Sequence, residues 1–258
     1  MVVKINKKGE KNYNTFGSEM IIAEYRGALD IDVDFPEYDW TAKNNTYQNF
    51  KNGKIKCPYD RSVYGVGYIG EGKYKIKENG KTTKCYNTWH DMLRRCYDEK
   101  FLKRNPTYID CEVCEEWHDF QEYGKWFDNN YYEIEGETMC LDKDILVKHN
   151  KIYSPETCIY APQTINKLFT KRQNDRGESI IGTYPFKGKY VVQCSIINPQ
   201  TGKSKKEYLG YYDTQEKGFE VYKYYKEKNI KMVADYYFGR IPKRLYDGMY
   251  SYEVEITD

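Results

Sequence analysis

Between residues 140 and 162 the chain reads CLDKDILVKHNKIYSPETCIYAP. Asp142 and Asp144 flank Lys143, and a polar turn carrying His149 and Asn150 follows an apolar triplet. Carboxylates are the natural oxygen ligands of a hard divalent cation, and a nearby imidazole can ligate or move a proton. Such a cation can hold a phosphodiester and stabilise the charge that develops when water attacks it. Asp142, Asp144, His149 and Asn150 are therefore the candidate catalytic residues.

To converge, these residues need a short strand ending near Asp142, a loop through Asn150, a second strand at Ile152-Tyr153, and a helix. Ser154-Pro155-Glu156 reads as the helix start. Ser154 can accept from an orphan backbone N–H, proline suits the first helical position, and Glu156 favours the positive end of the helix dipole. The helix is expected from about Pro155 or Pro162 to Phe169.

The chain has 258 residues, enough for two or three small domains with a core. Its 29 tyrosines favour strands over long helices. A formal net charge of +2 excludes a uniformly basic nucleic-acid binder, so any such surface must be local. No apolar run reaches the length of a membrane span, and no apolar segment follows the charged N-terminus as in a secretory signal. The eight cysteines then read as reduced thiols in a cytoplasm. Cys111-x-x-Cys114 with Cys140 and Cys158 could bind zinc. Only one pair has ligand spacing and Cys158 falls in an expected helix, so zinc is the minority reading.

An α+β fold of three parts is expected. Residues 1–67 form a small N-terminal β module. Here Ile31, Val33 and Phe35 face inward, Asp30, Asp32 and Asp34 face solvent, and Asn52-Gly53 turns a hairpin. Residues 68–175 form a central domain with a hairpin turning at Asn79-Gly80 and helices over 86–100 and 115–129. Gly65, Gly67, Gly70 and Gly72, around the start of this domain, belong to turns, and His90 and His118, beside aromatics, have packing or surface roles. Residues 176–258 form a three-stranded sheet over 180–184, 189–197 and 205–212. A helix capped by Thr214 and a short helix and strand in the tail complete it.

Four segments carry a resemblance: YNTWHDMLRRCYD (86–98), PTYIDCEVCEEWHDF (106–120), LDKDIL (141–146) and NKIYSPETCIYAPQTINKLF (150–169). Together they resemble the phage-borne HNH (His-Me finger) homing-type endonucleases, which implies a central ββα-metal-like domain with flanking helices. The resemblance places the acidic ligand of a Mg²⁺ or Mn²⁺ ion at Asp142 and the loop asparagine that orients the base near Asn150. It places the general-base histidine at Lys143 and the closing ligand near Thr157, and neither matches. A lysine, protonated at neutral pH, is a poor base. Either Asp144 or His149 substitutes, or the site does not cleave.

Residues 182–222 resemble the plant APETALA-type (ethylene-response-factor) DNA-binding domain through Gly182-Thr183-Tyr184, residues 188–194, residues 207–214, Phe219 and Tyr222. The resemblance implies a sheet lying in the major groove of double-stranded DNA, with Tyr184, Lys189, Gln193, Ser195, Lys206 and Tyr208 facing the duplex. Lys171 and Arg172, in a basic linker, would add phosphate contacts. Two functions are expected. One is a metal-dependent DNA endonuclease in the cytoplasm of a bacterial host. The alternative is a non-cleaving phage protein built on that frame, binding DNA as a regulator or a host defence protein as a counter-defence inhibitor.

Overall fold

The computed structural model describes residues 6–170 and 179–258. The fold is α+β, with helices interspersed among several small sheets. The chain forms two compact units, Met1–Asn129 and Asn130–Asp258. The division falls within the expected central domain, not at the expected boundaries after residues 67 and 175. No helix among the described residues is long and apolar enough to cross a membrane.

In the first unit, β1 (Lys11–Tyr13), β2 (Glu19–Gly27), β3 (Asp30–Phe35) and β4 (Trp40–Asn45) form an antiparallel meander. Period-two alternation drives it: Ile31, Val33 and Phe35 are buried with Met20, Ile22, Ala42 and Phe50. The intervening aspartates point away, and Arg26 donates to Asp30 and Asp32, so these two carboxylates are ion-paired on a strand face. Asn52-Gly53 does not turn a hairpin. Thr46 caps helix α1 (Tyr47–Lys51), and the Asn-Gly pair ends it with Gly53 at a φ of +65°. Asn-Gly serves a helix terminus as well as a tight hairpin, because both use positive φ.

The Asn79-Gly80 hairpin forms, but it is confined to β5 (Lys77–Glu78) and β6 (Lys81–Thr82). The first expected helix is α2 (Lys84–Tyr97), which buries Trp89, Met92, Leu93 and Cys96. Asp98 ends it and caps a separate α3 (Glu99–Arg104) by accepting from the Lys100 and Phe101 amides. The second expected helix starts as a 3-10 turn (Glu115–His118). It breaks at Asp119 and continues as α4 (Phe120–Asn130). A two-residue strand, β7 (Glu112–Val113), precedes it.

In the second unit, β8 (Met139–Asp142) pairs antiparallel with β10 (Ile159–Pro162), and β9 (Ile152–Tyr153) lies in the connection. Helix α5 (Gln163–Phe169) follows directly. Then come β11 (Thr183–Phe186), β12 (Lys189–Ile197) and β13 (Ser204–Tyr212), backed by a long helix α6 (Gln215–Tyr237) that Thr214 caps; α7 (Lys243–Tyr250) packs on α6. The expected strand in the tail does not form; residues 251–258 are irregular.

One core joins Ile159, Ala161, Ile165 and Leu168 to Ile197, Ile230, Val233, Leu245 and Met249. A boundary after residue 175 would cut that core. Each fully buried aliphatic side chain there contributes roughly 1.5–3 kcal/mol.

Candidate functional site

Asp142 is the last residue of β8 and pairs with Ile159. Its Oδ1 accepts from the amides of Asp144 and Ile145, at 2.7 and 2.8 Å. An aspartate at a strand end commonly closes a turn this way. Burial pushes its carboxyl above the ordinary carboxylate range, against the lowering effect of the two amides.

Lys143 is buried, its side chain only 8% exposed. Its ammonium donates to both carboxylate oxygens of Asp144 (2.7 and 2.9 Å) and to the Asn150 carbonyl (2.7 Å). The Tyr153 ring centroid lies 5.8 Å away. Three strong acceptor contacts occupy the three donors that an ammonium has. Asn150 is equally committed. Its Nδ2 donates to the carbonyls of Lys143 (2.9 Å) and Ile152 (2.7 Å), and its Oδ1 accepts from the Ile152 amide at 3.1 Å. The Thr157 hydroxyl donates to the Ile152 carbonyl at 2.9 Å and lies 3.1 Å from the Ser154 hydroxyl.

Ser154-Pro155-Glu156 does not begin a helix. It forms a single turn closed by the Cys158 amide donating to the Ser154 carbonyl at 3.0 Å. The chain then re-enters the sheet, because Ile159, Tyr160 and Ala161 form a fully buried apolar run. Cys158 thus lies before a strand and not within a helix.

His149 is exposed at the tip of the loop, at a φ of +58°. Its Nε2 is 3.6 Å from Glu255 Oε2. His149, Glu255 and Asp258 bring their ligand atoms within 4.8 Å of one another. Lys148 already pairs with both carboxylates, at 3.2 Å from Glu255 and 3.4 Å from Asp258. Among the described residues, Asp142, Asp144 and His149 form no such group. The four expected catalytic residues thus share one loop without sharing one point. Sequence reasoning could not find Glu255 and Asp258, which are about a hundred residues away in the chain with no local pattern tying them to His149.

The second candidate is the face of the β11–β13 sheet turned away from α6. Val192 and Cys194 of β12 pack with Phe219 and Tyr222 of α6, which sends Lys189, Gln193 and Ser195 outward. Register sets Gln193 against Tyr208, Ser195 against Lys206, and Tyr184 against Val191. The six expected DNA-facing residues of this sheet thus share its outer face. Phe186 and Tyr211, not among them, are on it too. A bulge between Val192 and Gln193 inserts Leu209, with Gly210 at a φ of +116°. Strict alternation from Tyr208 would turn Tyr211 inward; the extra residue turns it out. Lys171 and Arg172 lie outside the described residues.

A polar cleft of about 330 Å³ lies elsewhere in this unit. Inside it the Tyr237 hydroxyl donates to Glu137, and Thr164 donates to the same carboxylate at 3.2 Å. None of the eight cysteines forms a disulfide. Cys140 lies on β8, and Cys111 and Cys114 flank β7. Compared with protein-family models, curated proteins and solved structures, the chain matches none.

Proposed function

We propose that this chain is a phage-type DNA-binding protein, built on an HNH-like frame that no longer cleaves, and acting as a regulator. The observation that carries this reading is Lys143. At the position where a general base is needed stands a buried ammonium whose contacts are taken up by Asp144 and the Asn150 carbonyl. A group holding a carboxylate in this way does not accept a proton from water. The donor set also suits a divalent cation poorly. Asp144 is paired with Lys143, Asp142 accepts two amides, and placing Mg²⁺ beside the Lys143 ammonium sets like charges together.

DNA affinity is assigned to the outer face of β11–β13. That face offers Lys189, Lys206, Gln193 and Ser195, the side-chain types that meet phosphates and base edges. The test combines two measurements on the full chain. Supercoiled plasmid with Mg²⁺ or Mn²⁺ should stay uncut. Mobility shifts on DNA should weaken as salt rises, because phosphate contacts release counterions. Nicking that Asp142→Ala abolishes would restore the endonuclease reading. Binding that is absent or indifferent to salt would end the DNA assignment.

A further inference from the structure

We infer that the outer face of β11–β13 stacks the unpaired bases of single-stranded DNA. The inference rests on the DNA-binding reading of that face and adds the state of its ligand. Four aromatic rings stand on it, each substantially exposed: Tyr184 (40%), Phe186 (43%), Tyr208 (55%) and Tyr211 (51%). Three form a row. The Phe186 and Tyr211 rings lie 6.0 Å apart and nearly parallel, and Tyr211 and Tyr208 are 5.6 Å apart edge-on. Val191, directly opposite Tyr184 and Tyr211, is buried, so the row has a firm apolar floor.

Chemistry separates the two states of DNA here. In a duplex each base face is covered by its neighbours, and the major groove is read by hydrogen-bonding side chains, most often arginine. This face carries no arginine and presents rings instead. In a single strand the base faces are open, and exposed aromatics on a sheet are a recurrent way to bind them, whatever the sequence.

Charge agrees. The outward positions of the three strands hold Lys189 and Lys206 and no carboxylate, and Lys187 in the adjoining turn lies 5.4 Å from the Phe186 ring centroid. Lys189 pairs with Asp213 at 3.3 Å, but both are well exposed, so a phosphate can replace that partner at little cost.

The test is fluorescence anisotropy with the full chain and a labelled strand of about 15 nucleotides, within the site sizes of such surfaces. The same strand is measured alone, as a duplex, with abasic sites, and as RNA. The expected result is binding of the single strand about tenfold tighter than the duplex at equal salt, with most of that advantage lost on the abasic strand. Tyr208→Leu and Tyr211→Leu keep apolar cover and remove the ring. Each should weaken single-strand binding by about tenfold, clearly more than it weakens duplex binding, and leave circular dichroism unchanged. Equal affinity for duplex, intact and abasic strands would overturn stacking while leaving DNA binding in place. RNA bound about tenfold tighter than DNA would overturn the choice of DNA. No binding to any strand would overturn both this inference and the reading on which it rests.

Discussion

Lys143 and Asn150 are joined by two hydrogen bonds of opposite sense. The Lys143 ammonium donates to the Asn150 carbonyl at 2.7 Å, and Asn150 Nδ2 donates to the Lys143 carbonyl at 2.9 Å. The side chain of each residue thus fixes the backbone of the other across the loop. These bonds hold the loop's shape.

The pair should therefore be energetically coupled. Lys143→Met keeps most of the buried stem but removes the ammonium's bonds to Asp144 and to the Asn150 carbonyl. Asn150→Ala removes two donated bonds and one accepted. Each should cost about 1–3 kcal/mol of local stability. The double variant should cost less than the sum by about 0.5–2 kcal/mol, since both remove parts of one network. Hydrogen exchange of peptides covering residues 139–162 reads this directly. Strictly additive losses would mean that the two residues act apart.

Asp142 should leave a signature in the pH dependence of stability. Its folded carboxyl titrates above the ordinary range because burial disfavours the charge. The native state therefore holds that proton at pH values where the unfolded chain has lost it. Stability from this group is present at acid pH and is lost as pH rises through the folded pKa. Asp142→Asn cannot ionise, yet its side-chain oxygen can still accept from the Asp144 and Ile145 amides. Thermal midpoints should show the variant gaining on the parent as pH rises above the ordinary carboxylate range. A difference that stays constant as pH rises would rule the account out.

Much of the fold was legible because it is set by local period and capping. The alternation of Ile31, Val33 and Phe35 placed β3, and Thr214 marked the start of α6. The span expected for the central strand of the C-terminal sheet, 189–197, is the one that forms. What escaped was decided by partners far away or by local signals with two meanings. Ser154-Pro155 can open a helix or a single turn, and the buried pairing of Ile159–Pro162 with β8 selected the turn. Tyr211 faces out because of a bulge that no alternation predicts, while Phe186 was within reach of simple parity from Tyr184. Asp142 and Asn150 stand out in the sequence, but the bonds by which they shape the loop do not. A sequence shows that a carboxylate is near a loop, not that backbone amides already occupy it.

Gly182 and Gly188 allow a controlled test of backbone freedom against space. Both have positive φ, at +79° and +77°. A Cβ on Gly182 would fall 2.1 Å from Cδ2 of the Tyr222 ring, whereas one on Gly188 would meet nothing within 4 Å. Gly188→Ala should cost only the left-handed penalty of about 1–2 kcal/mol. Gly182→Ala adds overpacking and should cost about 2–5 kcal/mol. Denaturation midpoints of the two variants should differ clearly; equal shifts would mean that the Tyr222 ring moves aside freely.

Asn229 governs the end of the strand on which the DNA assignment depends. Buried on α6, it accepts from the Ile197 amide through Oδ1 and donates to the Ile197 carbonyl through Nδ2, both at 3.0 Å. Ile197 is the last residue of β12, the strand that presents Lys189, Gln193 and Ser195. Asn229→Leu fills similar volume but leaves that amide and carbonyl buried without partners, at a cost of about 2–4 kcal/mol. Asn229→Asp keeps the acceptor and loses the donor, setting a carboxylate against a carbonyl oxygen. Protonation restores a donor, so this variant should recover stability as pH falls, while Asn229→Leu should not. Exchange protection of the Ile197 amide at two pH values distinguishes them. If Asn229→Asp shows no pH-dependent recovery, the donated bond to the carbonyl is not what holds β12 to the helix.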